Sequence, residues 1–307
     1  MFTLKIKTVQ KLILITLFFL GSCSTEEQFI NEDDKNLTSI RGTGVIQFTS
    51  INKSISIYYH IPNFARKNTK MVFVFHGNGR NAKDYRDATI SKANEFGFIV
   101  IAPEFSSANF PSGDQYNLGN VFVDGDNPSP NTLNPEEEWT FSLIEPIFDF
   151  LKKEIGNTST SYHIIGHSAG SQFAHRFLLF KPNNNVDKTV LSAAGWYTIP
   201  NTTFDFPYGI NKTPLENKSL SYFFQKKIIV QVGELDNNPN ASGLRKNSIV
   251  NQQGLNRFTR ANYFFKKAKE TSQQNNIPLS WQFFVNQGLD HDFKPAISKA
   301  VDYLFKQ

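Results

Sequence analysis

Ser168 lies at the centre of Gly166-His167-Ser168-Ala169-Gly170, after the apolar run Tyr162 to Ile165 and before Phe173, Phe177 and Phe180 at helical spacing. The pattern predicts a sharp strand-to-helix turn, in which small residues let strand and helix approach and the serine hydroxyl stands exposed above the sheet. A serine hydroxyl is a poor nucleophile near neutral pH. It does chemistry only with a histidine that takes its proton and later returns it to a leaving group, and with a carboxylate that fixes the imidazole tautomer. Both occur downstream. Asp236 follows the apolar run Lys227 to Val232 in Gly233-Glu234-Leu235-Asp236, and His291 follows Leu279 to Val285 in Gln287-Gly288-Leu289-Asp290-His291. We assign the base to His291 and the acid to Asp236, with Glu234 as the second candidate acid. Asp290 and Asp292 are chain neighbours of the base and are expected to point away from its ring. His163, His167 and His175 are expected to be structural.

The elements that must position these groups alternate in period. Gly44 to Thr49 and Ser54 to His60 read as an opening hairpin, and Met71 to Phe75 and Phe98 to Ala102 as buried strands of a mostly parallel sheet. Asn81 to Phe96 reads as a helix stopped by Gly97, Lys188 to Ala194 as a further strand, and Leu255 to Ala268 and Pro295 to Phe305 as the last helices. Asn134-Pro135 followed by Glu136, Glu137 and Glu138 predicts a capped helix start, with Trp139, Leu143, Ile147 and Leu151 facing inward and a kink at Pro146. The polar segment Thr198 to Phe224 is either a cap or a plain connection. Asp124, Gly125 and Asp126 do not complete a calcium loop, because Pro128 interrupts them and the closing Glu is missing. No metal and no cofactor is expected.

The serine turn, the Gly-rich His76-Gly77-Asn78-Gly79 after an earlier strand, and the order Ser168, Asp236, His291 resemble the α/β-hydrolase superfamily over roughly residues 44 to 307. The resemblance implies an α/β fold with a mostly parallel central sheet, helices on both faces and a possible cap segment. It also implies an oxyanion hole from the backbone amides of Ala169 and Asn78, with Gly79 as the alternative to Asn78. Within the superfamily the chain looks most like secreted bacterial esterases of the polyhydroxybutyrate-depolymerase and feruloyl-esterase-like group. It carries Asn78 where that group often has a Cys. Gly79, Glu104, Tyr116, Trp196 and Tyr197 are the substrate-pocket candidates.

Before the domain, Lys5, Lys7 and Lys11 precede the apolar run Leu12 to Leu20, which reads as a secretory signal too short to span a bilayer comfortably. Leu20-Gly21-Ser22-Cys23 resembles a bacterial lipobox. The expected organisation is a lipoprotein signal peptide at 1–22, a lipidated Cys23 and flexible tether at 23–41, and the hydrolase domain at 42–307. Cys23 is the only cysteine, so neither an intrachain disulfide nor a cysteine nucleophile is available. The net charge of +5 falls to +2 without the three signal lysines, and no basic cluster interleaved with aromatics suggests nucleic acid. The expected function is a serine hydrolase cleaving carboxylic esters through an acyl-enzyme, anchored in a bacterial membrane and facing the periplasm or cell exterior. The alternatives are a serine peptidase or amidase on the same fold, and a non-catalytic surface lipoprotein that binds glycan or peptide on Trp196, Tyr197 and Tyr116.

Overall fold

The computed structural model describes residues 40–50 and 53–306, all within one unit spanning Glu32–Gln307. The signal peptide, Cys23 and the tether up to residue 39 lie outside the described residues. Eight strands form one sheet: β1 (Gly42–Ser50), β2 (Lys53–Ile61), β3 (Met71–Phe75), β4 (Ile99–Pro103), β5 (Tyr162–His167), β6 (Val186–Ser192), β7 (Lys227–Gly233) and β8 (Trp281–Asn286), in the order β1-β2-β4-β3-β5-β6-β7-β8. β1 pairs with β2, and β2 with β4, antiparallel, and every other pairing is parallel. The chain runs outward from β3 to β4 and then returns to place β5 on the other side of β3. The C-terminal ends of β3 and β5 therefore flank the crevice where open α/β sheets bind ligands.

Strand alternation divides the core between the two faces of the sheet. Val72, Val74, Val100, Ile165, Val190 and Ile229 face helices α1 (Ala82–Phe96) and α6 (Phe293–Phe305). Phe73, Phe75, Ile101, Ile164 and Val230 share the other cluster with α2 (Ile144–Ile155), α3 (Ala169–Phe180) and α5 (Arg257–Gln274). With both faces covered, β3, β4 and β5 are buried throughout, which is why they read as unbroken apolar runs. α5 starts on a capping box, where Asn256 accepts from the Thr259 amide and the Thr259 side chain reaches back. α1 ends at Gly97 in the left-handed conformation, with φ 74°.

Two expectations are corrected. No helix begins at Asn134: residues 136–138 and 140–143 form separate 3-10 turns, and α2 starts only at Ile144. The segment is pulled out of helical register by its neighbours. Trp139 is extended, its indole N–H donates to the Asn134 carbonyl at 2.9 Å, and Thr140 is held by Gly119 and Gln115 carbonyls at 2.8 and 2.7 Å. Pro146 consequently falls in the first turn of α2, where an amide has no partner inside the helix, and no kink is needed. The segment from Thr198 to Phe224 contains only turns and the five-residue helix α4 (Ser221–Gln225) begins near its end. Its apolar residues Phe206, Ile210, Leu215 and Leu220 are buried, and Phe206 meets Phe180 of α3 edge-on. It is a packed connection with no helical lid.

α3 approaches β3 and β5 with no room for a side chain. A Cβ on Gly170 would stand 2.1 Å from the Phe75 carbonyl oxygen, and one on Gly166 would stand 2.4 Å from the Gly170 carbonyl oxygen. Both obstacles are backbone, so they cannot rotate away. Gly170→Ala is expected to destabilise the protein by at least about 1–3 kcal/mol, the usual range for forced overpacking, measured as the free energy of urea unfolding. A second expectation concerns four buried imidazoles. Burial pushes His76 and His163 down to about 4 and holds His167 and His175 well below the ordinary 6.5. Because the folded values lie beneath the unfolded one, the unfolded chain binds protons that the folded chain refuses. Their contribution is fully present above about pH 6.5 and is lost as the pH falls toward 4. Urea midpoints measured across this range should fall steadily below about 6.5, and a level profile would contradict the buried, neutral assignment.

Candidate active site

Ser168 joins β5 to α3 with φ 55° and ψ −116°, a region costly for a residue with a Cβ. Its amide donates to the Ser192 carbonyl at 2.9 Å, which ties the turn to the end of β6. The side chain is half-exposed, and its Oγ lies 3.1 Å from His291 Nε2. His291 Nδ1 lies 2.6 Å from Asp236 Oδ2. A buried carboxylate that is ionised can only accept, so the Nδ1 proton faces Asp236 and the Nε2 lone pair faces the serine hydroxyl. Asp236 and Ser168 come from segments 55 and 123 residues distant from His291. The arrangement can abstract a proton from Ser168 and hold the resulting imidazolium against a carboxylate.

The loops that carry acid and base are stitched together by backbone. Glu234 N–H donates to Asn286 O at 3.0 Å and Leu235 N–H to Leu289 O at 2.8 Å. A Cβ on Gly233 would meet the Leu289 carbonyl oxygen at 2.2 Å, so glycine permits the approach. The other acids have separate tasks. Glu234 Oε2 accepts from the Gly288 amide at 3.0 Å, Asp290 accepts from the Asp292 amide at 2.9 Å, and Asp292 caps α6 through the Lys294 amide at 2.9 Å. Of the two candidate acids, only Asp236 is hydrogen-bonded to His291.

Sequence reasoning missed Arg257, the first residue of α5. Its Nη1 lies 3.5 Å from Asp236 Oδ1, with both side chains buried, and the following residue's amide donates to the Asp236 carbonyl at 3.0 Å. The Asp236 carboxylate thus faces two cationic or potentially cationic groups, one on each oxygen. The only sequence signal nearby is the Asn256 helix cap, which locates the helix start and says nothing of its partner.

The Gly-rich loop after β3 lies beside the serine: a Cβ on Gly77 would be 3.7 Å from Ser168 Cβ. The Gly77 carbonyl accepts from His76 Nδ1 at 2.9 Å and from the Arg80 amide at 3.2 Å. His76 Nε2 in turn accepts from the Phe105 amide at 3.1 Å, and burial keeps this imidazole neutral. Arg80 bonds the Phe105 carbonyl, reaches Ser112 O at 3.1 Å, and lies 4.5 Å over the Tyr116 ring. With its carbonyl so held, the Gly77-Asn78 peptide presents the Asn78 N–H on its opposite edge. Asn78 and Gly79 are exposed, and Ala169, as the first residue of α3, has an amide without an intrahelical acceptor.

Three of the expected pocket aromatics are core residues. Tyr116 is fully buried, donates its hydroxyl to His76 O at 2.7 Å and stacks on Phe105 and Phe173. Tyr197 is fully buried, stacks on Phe264 with centroids 4.3 Å apart, and accepts from the Ala194 amide at 3.3 Å. Trp196 is buried between the Arg176 and Arg245 guanidinium groups, 4.2 and 4.9 Å from its ring. Arginines lie over Tyr116 and Trp196 and the Phe264 ring over Tyr197, and all three residues are buried, so none offers a free stacking face. Glu104 is half-buried at the end of β4, and burial raises its carboxyl above the ordinary value. His175 is structural, with Nδ1 on Ser171 O and Nε2 accepting from the Thr198 amide. His167, by contrast, packs on His291 with ring centroids 4.7 Å apart.

Neither the protein-family models nor the curated proteins contain a match to this chain. Solved structures do match. Poly(aspartic acid) hydrolase-1 of Sphingomonas sp. KT-1 is 32% identical, with 87% of this chain and 99% of that chain covered and a TM-score of 0.81. The poly(3-hydroxybutyrate) depolymerase LpqC of Bordetella parapertussis is 24% identical, with 87% and 91% covered and a TM-score of 0.80. An S-formylglutathione hydrolase of Agrobacterium tumefaciens, at 14% identity and a TM-score of 0.55 over 89% and 98% of the two chains, shares the fold. The sheet order, the strained serine between β5 and α3, and near-complete coverage of a structure at 32% identity place this chain in the α/β-hydrolase superfamily.

Proposed function

We propose that the protein is a serine hydrolase that cleaves carboxylic esters through an acyl-enzyme. The observation that carries this reading is the continuous chain Asp236 Oδ2, His291, Ser168 Oγ, at 2.6 and 3.1 Å, beside the turn of Gly77 and Asn78. Ser168 Oγ attacks the ester carbonyl carbon while His291 Nε2 takes its proton. The carbonyl π electrons become an alkoxide, which the Ala169 and Asn78 amides stabilise where its charge develops. Collapse of the alkoxide breaks the bond to the alcohol oxygen, and His291 returns the proton to that leaving group. Water then attacks the acyl carbon, giving a proton to His291, and collapse frees the acid and restores the Ser168 hydroxyl. Asp236 stays ionised throughout and holds the imidazolium. Arg257 faces the other carboxylate oxygen at 3.5 Å.

An amide substrate is the second reading, favoured by the neighbour at 32% identity, whose name denotes a polymer of an amino acid. The triad chemistry is the same for both bonds, and the difference lies in leaving-group protonation by His291. A non-catalytic binding role loses its support, because the aromatics that would have formed the stacking surface are buried. We further propose that the chain is exported and anchored through acylated Cys23, on the lipobox-like Leu20-Gly21-Ser22-Cys23.

Ser168→Ala should abolish both short-chain p-nitrophenyl ester hydrolysis and labelling by a fluorophosphonate probe; labelling that survives would remove Ser168 from the mechanism. Asp236→Asn should lower kcat by about 10⁴-fold, as a wrong imidazole tautomer does, whereas a comparable loss only in Glu234→Gln would transfer the role. Rates on matched ester and amide substrates, including oligomers of aspartic acid, decide between the two bond types. Metabolic labelling with an alkyne fatty acid should be lost in Cys23→Ala, and unchanged labelling would exclude that residue as the anchor.

A further inference from the structure

We propose that Tyr85 is a positioning residue whose hydroxyl holds the Gly77-Asn78 loop and the serine turn in register with the base. The proposal rests on the reading of Ser168 as nucleophile. Tyr85 belongs to α1, is buried, and lies 82 residues from His167 in sequence, yet its hydroxyl is 3.0 Å from His167 Nδ1. The same phenol oxygen packs against Gly77, where a Cβ on that glycine would stand 2.8 Å from it. Burial keeps the His167 imidazole neutral, and its Nε2 is buried without a hydrogen-bond partner among the described residues. Its ring packs on the ring of His291 at 4.7 Å. The Tyr85 ring itself stacks on Phe293, two residues beyond His291, with centroids 4.3 Å apart and planes 11° apart.

Three segments that bear the site therefore converge on one side chain: the loop after β3, the residue before Ser168, and the residues that follow His291. A buried tyrosine hydroxyl needs a partner wherever it lies, but this one meets two site-bearing segments at once: it bonds the residue before Ser168 and packs against the glycine before Asn78. The Gly77 carbonyl is held by His76 and Arg80, and the Tyr85 hydroxyl bounds the same residue at its Cα. That arrangement sets the direction of the next amide, Asn78 N–H, relative to Ser168. Without the hydroxyl, Gly77 loses a packed neighbour, His167 Nδ1 loses its hydrogen-bond partner, and the loop is free to shift. A misplacement of about 1 Å at such a site costs about 10²-fold in rate.

Tyr85→Phe tests this, because it deletes the hydroxyl and keeps the ring that stacks on Phe293. The groups that face His291 are otherwise unchanged: Asp236 on Nδ1, Arg257 behind Asp236, His167 on the ring face, and Asp290 and Asp292 beside it in the chain. We expect kcat on a p-nitrophenyl ester to fall by about 10- to 100-fold with KM within about threefold of the parent. The inhibition constant of a trifluoromethyl ketone should rise in parallel with the loss in kcat/KM. That inhibitor forms a bond from Ser168 Oγ to its carbonyl carbon, passes the serine proton to His291 and leaves an oxyanion, so it reads the amides directly. A lowered unfolding temperature with an unchanged ratio of inhibition constant to KM would mean a merely structural tyrosine and overturn the proposal, as would wild-type turnover. Ser168→Ala measured alongside separates the levels: if it is inactive while Tyr85→Phe is unaffected, the positioning role falls and the nucleophile stands; if Ser168→Ala remains active, both fall.

Discussion

The Phe75 carbonyl oxygen lies where a methyl group on Gly170 would go, and the Gly170 carbonyl oxygen lies where one on Gly166 would go. This contact between β3, β5 and the first turn of α3 is the constraint on which the site depends. It forces the single residue between strand and helix, Ser168, into φ 55°, and it brings the end of β3 against the serine. A strained backbone of this kind costs on the order of 1–3 kcal/mol and persists only where its surroundings over-determine it. The surroundings here are aromatic. Phe173, one turn into α3, touches Phe75, Phe105, Tyr116 and Phe141 with ring centroids 4.9–5.4 Å apart. Fully burying even one such ring is worth about 1.5–3 kcal/mol, so the cluster is large enough to hold α3 in place against the strain.

The same aromatic floor carries polar groups that would be costly if unpaired. His76 lies inside it, neutral, with Nδ1 on Gly77 O, Nε2 on the Phe105 amide and its own carbonyl on the Tyr116 hydroxyl. Each of these bonds also fixes a piece of the loop that holds Asn78. An apolar residue in place of His76 could fill the volume but would leave the Phe105 amide without its partner, at about 1–3 kcal/mol. The packing of the core and the aim of the loop are therefore set by one network.

What the chain reveals without a structure follows from the range of each signal. The serine turn, the apolar strands and the Gly97 stop are local, because a steric need at one position selects glycine there and a period of two or 3.6 recurs within a few residues. The order of Ser168, Asp236 and His291 was legible because each follows its own strand. The helix expected from Asn134 failed because contacts to Gly119 and Gln115, distant in sequence, overrode a good local cap. Tyr116, Trp196 and Tyr197 were misread for a related reason: an aromatic at a strand end is equally suited to core and cleft, and the arginines and phenylalanines that cover these rings come from other segments. Arg257 and Tyr85 carry no local mark at all, since their meaning lies in partners 21 and 82 residues away.

That division bears on how such a site diverges. The three converging side chains and the loop beside them are held by backbone and buried contacts: Gly233 against Leu289, Gly77 between His76 and Tyr85, and Asp236 between His291 and Arg257. Changing any of them disturbs several partners at once. Asn78 and Gly79, after β3, and Glu104, after β4, are exposed or half-exposed, and burial raises the Glu104 carboxyl above its ordinary value. A substitution there leaves the hydrogen-bond chain intact. Surface positions of this kind are free to change around a fixed centre, so one fold can be shared by a poly(aspartic acid) hydrolase, a poly(3-hydroxybutyrate) depolymerase and an S-formylglutathione hydrolase.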